Sequence, residues 1–156
     1  MLPSHNRYKY QAINQRADFC WPHNKRLAVY IALNLEHFAF GEGLGGELAP
    51  GGPSPDVLNF AWRDYGNRVG FWRLMELFDE LDIPIQAQLN TSVYEDAPQV
   101  AERLRQRGDE LLGHGISNSE EQGVVAGADE RALIKTVTDA IIENEGKAPT
   151  GGRSPW

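Results

Sequence analysis

Leu27-Ala28-Val29-Tyr30-Ile31-Ala32-Leu33 is a continuous apolar run with β-branched and aromatic members. A run of that length suits a strand buried on both faces of a parallel sheet, and it is read here as strand one. Downstream, Phe71, Leu74, Met75, Phe78 and Leu81 recur at three- and four-residue steps, with Glu76, Asp79 and Glu80 outside the stripe. That period predicts a helix starting near Gly70 whose apolar face is core. From Ile83 to Asn90 the chain alternates, Ile85, Ala87 and Leu89 against Gln86 and Gln88, which predicts strand two. Asp96 is placed to cap a helix with Pro98 in its first turn and Val100, Ala101 and Leu104 along one side, until Gly108 stops it. Glu110 to Gly113 is a short third strand. Asp129 is placed to cap a last helix with Leu133, Ile134, Val137 and Ile141 inward, ended by Gly146. Pro149 to Trp156 would begin a fourth unit. Strand and helix alternate three times, the pattern of an α/β fold with helical crossovers between parallel strands.

Residues 1–24 are polar and interrupted by Pro3 and Pro22, so they read as an extended arm laid over a domain spanning 25–156. Phe38 to Gly52 is Gly-rich with Pro50, and Pro53 and Pro55 follow, so this segment is expected to be irregular and superficial.

With 156 residues and 41% of them hydrophobic, including four Trp and six Phe, the chain is one domain able to bury a core. No run approaches the roughly 18 apolar residues of a spanning helix, and the opening stretch lacks a signal-peptide core, so a cytoplasmic protein without a membrane partner is expected. Lys and Arg number 15 against 22 Asp and Glu, a net charge of -7 without a clustered basic face, which argues against nucleic acid as a partner. Cys20 is alone. It permits neither an internal disulfide nor a multi-thiolate zinc site, so a metal would need His5, His23, His37 or His114 with carboxylates or amides.

Gly41-Glu42-Gly43-Leu44-Gly45-Gly46 has the G-x-G-x-x-G spacing after a strand, but Pro50, Gly51, Gly52 and Pro53 forbid the helix N-terminus that a pyrophosphate cradle needs. No G-x-S-x-G elbow exists, and Cys20 with His23 has no evident orienting group. Glu36 and His37 end strand one, and His114 ends strand three, so carboxylate and imidazoles converge on the carboxyl rim where α/β sheets gather their chemistry. They supply a general base and metal ligands, with the Asn118 amide as a weak third donor. Neighbours on a regular strand face opposite ways, so Glu36 and His37 share a site only if the strand breaks there. The plainer alternative is that His37 and His114 are ordinary hydrogen-bonded histidines and Glu36 a solvated loop residue.

The order of these motifs resembles the polysaccharide deacetylase family, the NodB homology domain of carbohydrate esterase family four. Ala32-Leu33-Asn34-Leu35-Glu36-His37-Phe38 stands where that family has its first motif, two adjacent acidic residues serving as base and metal ligand. Gly113-His114-Gly115-Ile116-Ser117-Asn118 resembles the second, a His followed four positions later by a His, and Arg153-Ser154-Pro155-Trp156 resembles the third. Trp62-Arg63-Asp64-Tyr65-Gly66-Asn67-Arg68-Val69-Gly70-Phe71-Trp72-Arg73-Leu74 is similar to the branch of peptidoglycan-deacetylase-like proteins and metal-independent allantoinases.

The resemblance implies the N-terminal half of a distorted (β/α)7 barrel, with the C-terminal half absent from residues 25–156. It also implies hydrolysis of a non-peptide C–N bond. Deacetylation of an N-acetylated sugar is the leading activity, allantoinase-like opening of a small cyclic ureide the second, and a non-catalytic carbohydrate-binding or assembly subunit the third. By resemblance Glu36 is the base, Arg153 steadies it, Trp156 walls the groove, and Tyr65 and Arg68 face substrate. His37, His114 and Asn118 would hold a divalent metal such as zinc, although the departure from Asp-His-His is compatible with no metal. A half barrel has unpaired sheet edges, which predicts a piece of a longer protein, a second chain completing the barrel, or a homo-oligomer.

Overall fold

The computed structural model describes residues 7–43, 51–122, 125 and 127–155. Three strands, β1 (Ala32–Leu35), β2 (Gln86–Leu89) and β3 (Glu110–Gly113), form a parallel sheet in that order. The register sets Leu35 beside Leu89, and Leu89 beside Gly113, so the chain leaves all three strands at one level with Glu36, Asn90 and His114. Helix α1 (Val57–Tyr65) runs through a π turn (Gly66–Gly70) into α2 (Phe71–Glu80). The short α3 (Val93–Asp96) and α4 (Pro98–Arg107) join β2 to β3, and α5 (Ala128–Glu145) follows β3.

Apolar periodicity accounts for the core. Phe71, Met75 and Phe78 of α2 meet Ala87 and Leu89 of β2 and Val100 and Leu104 of α4 in one buried cluster. Leu74 and Leu81, at the margins of the α2 stripe, stay exposed. Gly108 ends α4 at φ 73° and Gly146 ends α5 at φ 71°, left-handed positions that favour glycine. Buried Asp109 closes the floor of the sheet: it accepts the Ile85 N–H at 3.2 Å and pairs with Arg107 at 2.7 Å.

Strand one forms later than the apolar run predicts. β1 begins at Ala32, while Leu27, Val29 and Tyr30 are exposed, and β1 itself buries only Leu35. The reason is lateral. β1 is an edge strand among the described residues, so only one side of it has a partner and nothing covers the run that enters it. The residues 7–30 do not pack over the domain either; every one is exposed except Ala12, which is half-buried.

The caps also differ. Asp96 ends α3 and turns its carboxylate to His37, leaving Ala97 at the N-cap of α4 with Pro98 in the first turn as expected. Gly127 precedes α5, and Asp129 lies inside its first turn, where a carboxylate still favours the helix dipole. Helix α1 has no counterpart in the periodicity reading; Asp56 starts it by accepting the Asn59 N–H at 3.0 Å. Residues 38–42 and 51–55 are irregular, as the Gly and Pro content requires, but Phe38 is buried rather than superficial, and residues 44–50 lie outside the described residues.

Past α5 the chain returns to the sheet. Gly152 bridges Gly113 in parallel, with the Gly113 N–H donating to Gly151 at 3.1 Å and the Arg153 N–H to Gly113 at 2.9 Å. This single bridge lies where the fourth unit expected after Pro149 would begin. No described helix is long and apolar enough to cross a membrane.

Candidate active site

The rim is built by the strand ends. Glu36 follows β1 and is half-buried; its Oε1 lies 3.3 Å from His114 Nε2 and accepts the Asn34 amide at 3.1 Å. The other ring nitrogen of His114, Nδ1, donates to the Arg153 carbonyl at 2.8 Å. Because a carbonyl only accepts, Nδ1 carries a hydrogen, and the contact between Nε2 and the carboxylate needs one more proton shared by the two groups. His114 is buried to 2% exposure. Its hydrogen bond is the largest influence holding the Glu36 carboxyl below its ordinary value of 4.5, against burial, with the Asn118 amide and Asn34 adding to it.

Chain geometry separates the two members of the first motif. β1 stops at Leu35, and beyond it Glu36 and His37 line one small cavity but take different partners: His37 Nδ1 lies 2.9 Å from Asp96 and 3.1 Å from the Ser92 hydroxyl. The backbone of His37 is held on both sides, its N–H donating to Asn90 Oδ1 at 2.8 Å and its carbonyl accepting from the Asn118 N–H at 2.9 Å. Asn90 is fully buried, and its amide also donates to the His114 carbonyl. One side chain therefore ties the first motif to the second. Sequence reading placed Asn90 at the end of strand two without a role; a lone buried amide directly after an alternating strand was the available signal.

Of the residues named as metal ligands, His114 and Asn118 lie against Glu36, while His37 is directed to Asp96 and Ser92. Asn118 is 1% exposed and its Oδ1 has no hydrogen-bond partner among the described residues. No three His, Cys, Asp or Glu side chains among the described residues come together as a metal site, and both His114 ring nitrogens are already engaged. The donor set in this arrangement does not fit a tetrahedral zinc.

Arg153 reaches His114 through its backbone carbonyl and is among the residues lining a cavity of about 420 Å³ against α5, while Glu36 takes its hydrogen bonds from His114, Asn34 and Asn118. Trp156 lies outside the described residues. Tyr65 is exposed on the far side of α1, lining a hollow with Trp62 and Leu58, and Arg68 is paired with Asp64 at 2.5 Å on the surface. From the same stretch it is Arg63 and Asn67 that face Glu36. Asn67 donates to the Glu36 carbonyl at 2.8 Å, and Arg63 and Asn67 line with Glu36 both a cavity of about 20 Å³ and an open groove of about 250 Å³.

Comparison with solved structures identifies the fold. The Puue allantoinase superposes with a TM-score of 0.70 at 22% identity, over 86% of this chain and 50% of that one. Two proteins assigned as polysaccharide deacetylases also match, from Pseudomonas aeruginosa PAO1 (TM-score 0.64, 21% identity, 79% of this chain and 45% of that one) and from Mycobacterium smegmatis (0.68, 22%, 90% and 47%). The chain has the fold shared by these proteins. It spans about half the length of each, and within that half the deacetylase-like fold resembled by the sequence motifs is the one formed. No family model matches the chain, and no curated protein sequence does.

Proposed function

We propose that the chain carries the base side of a hydrolase acting on C–N bonds other than peptide bonds. The observation behind this reading is the Glu36–His114 contact of 3.3 Å at the common level of three parallel strand ends. Glu36 removes a proton from water as the water oxygen adds to the acyl carbon. The C–N bond then breaks, the amine leaves with a proton, and the acyl group leaves as a carboxylic acid. The cavity of about 20 Å³ beside Glu36 has room for one water molecule. His114 holds the carboxylate ionised and oriented, and Arg153 holds His114 through its carbonyl. On this reading the sheet continues into a seven-stranded barrel whose remaining half comes from a longer chain or from a second one.

The substrate proposed first is an N-acetylated sugar that loses its acetyl group. A cyclic ureide, opened without metal, is the second reading, favoured by the direction of His37 toward Asp96. Assaying acetate release from N-acetylglucosamine oligomers and ring opening of allantoin by the completed barrel, with Glu36→Gln beside the parent, tests both; the 156-residue chain alone is expected to be inactive. Turnover of either that Glu36→Gln abolishes supports the assignment. Turnover retained in Glu36→Gln refutes Glu36 as base, and sugar binding without turnover of either substrate leaves the non-catalytic binding role.

A further inference from the structure

Among the described residues, the carboxylates lining the groove and the smaller cavity have ion-pair partners and one arginine there has none. Glu36 meets His114, and Asp64, which lines the smaller cavity, meets Arg68. Arg63 lines both cavities and has no carboxylate within 4.0 Å among the described residues, in a chain with a net charge of -7.

Arg63 is nonetheless firmly placed. Asp56 starts α1 and positions Asn59 in its first turn; Asn59, 6% exposed, accepts the Arg63 Nε–H at 2.9 Å one turn on. The guanidinium carbon lies 3.8 Å from the centroid of Phe38, a buried ring two residues past Glu36. Stacking and the Asn59 bond fix the plane of the group and use its Nε–H, and among the described residues nothing accepts from its terminal nitrogens. A half-buried, pre-oriented guanidinium with free terminal donors matches a carboxylate in two parallel hydrogen bonds.

We propose that Arg63 is an anion-binding residue of the groove, and that the molecule bound beside Glu36 carries a carboxylate next to its amide bond. Within the N-acetylated sugars and ureides proposed above, the preferred members are thus those that also carry a carboxylate. This rests on the hydrolase reading for its meaning, but the anion site stands or falls by binding alone.

N-acetylglycine and its neutral counterpart N-acetylglycinamide share the acetamide and differ only in the carboxylate, so they serve as probes in an NMR titration of the 156-residue chain. N-acetylglycine should bind about tenfold more tightly, the gain of a charge-assisted pair. Arg63→Met should bring the two within about twofold, and Arg63→Lys, which keeps the charge but not the fork, should fall between. Equal affinities in the parent chain, including none for both, would overturn the proposal, as would a preference that survives in Arg63→Met. Circular dichroism melting checks that each variant is folded, and the Lys variant carries the test if the Met variant is not. Glu36→Gln should keep the preference; a preference intact while the completed barrel with Glu36 present shows no turnover sinks the hydrolase reading and not the anion site.

Discussion

Glu36 and His114 stand 78 positions apart in the chain and 3.3 Å apart in space. The register of three parallel strands causes this, since each residue is the first to leave its strand at the carboxyl end. An imidazole fixed from behind by the Arg153 carbonyl has its second nitrogen directed at the carboxylate.

That contact sets the pH response. The Glu36 carboxyl titrates below 4.5, mainly because His114 hydrogen-bonds it, so the stabilisation it confers is complete above 4.5 and fades as pH falls through the depressed folded value. If Glu36 is the base, the acid limb of kcat/KM should lie below pH 4.5. A limb above that value, measured across pH 3 to 7, would contradict the assignment.

His114→Gln should move the same limb upward, because the largest cause of the depression is gone. Turnover should fall by about 100-fold or more, the scale of losing a positioned partner of the base. Comparing the pH profiles of parent and variant checks this, and a variant with lower rate but an unmoved limb would make His114 a packing residue only.

Asn90→Leu should destabilise the chain as a whole. It leaves the His37 N–H and the His114 carbonyl without their partner in a fully buried position, each costing about 1–3 kcal/mol. The melting temperature should drop by at least about 4 °C. A melt within one or two degrees of the parent would show that water replaces the amide.

Zinc should neither raise the melting temperature nor be needed for hydrolysis, since the Nδ1 of His37 is engaged by Asp96 and Ser92. Thermal melts with added zinc and assays with chelator measure this. A melting temperature that climbs with zinc concentration would show His37 turning from Asp96 to complete a ligand set.

Much of the fold was legible along the chain because it is local. Phe71, Met75 and Phe78 recur at helical spacing and are buried, and Gly108 and Gly146 end helices because their backbone needs a positive φ. The run from Leu27 to Leu33 misled because burial of a strand depends on neighbours on both sides, and β1 has one. Asp96 was read as a cap from its place before Pro98, yet its carboxylate is drawn to a histidine 59 positions earlier.

The sequence by itself determined the alternation of strands and helices, the parallel sheet and the two rim residues Glu36 and His114. Each follows from periodicity or from adjacency to a strand end. Only the tertiary structure decided that His37 faces Asp96, that Asn90 joins the two motifs, and that Arg63 rather than Arg68 faces the groove. The direction of a side chain beyond a strand end, and which of two arginines five positions apart meets its charge partner, depend on what distant segments bring alongside. Spacing along one chain does not carry that information.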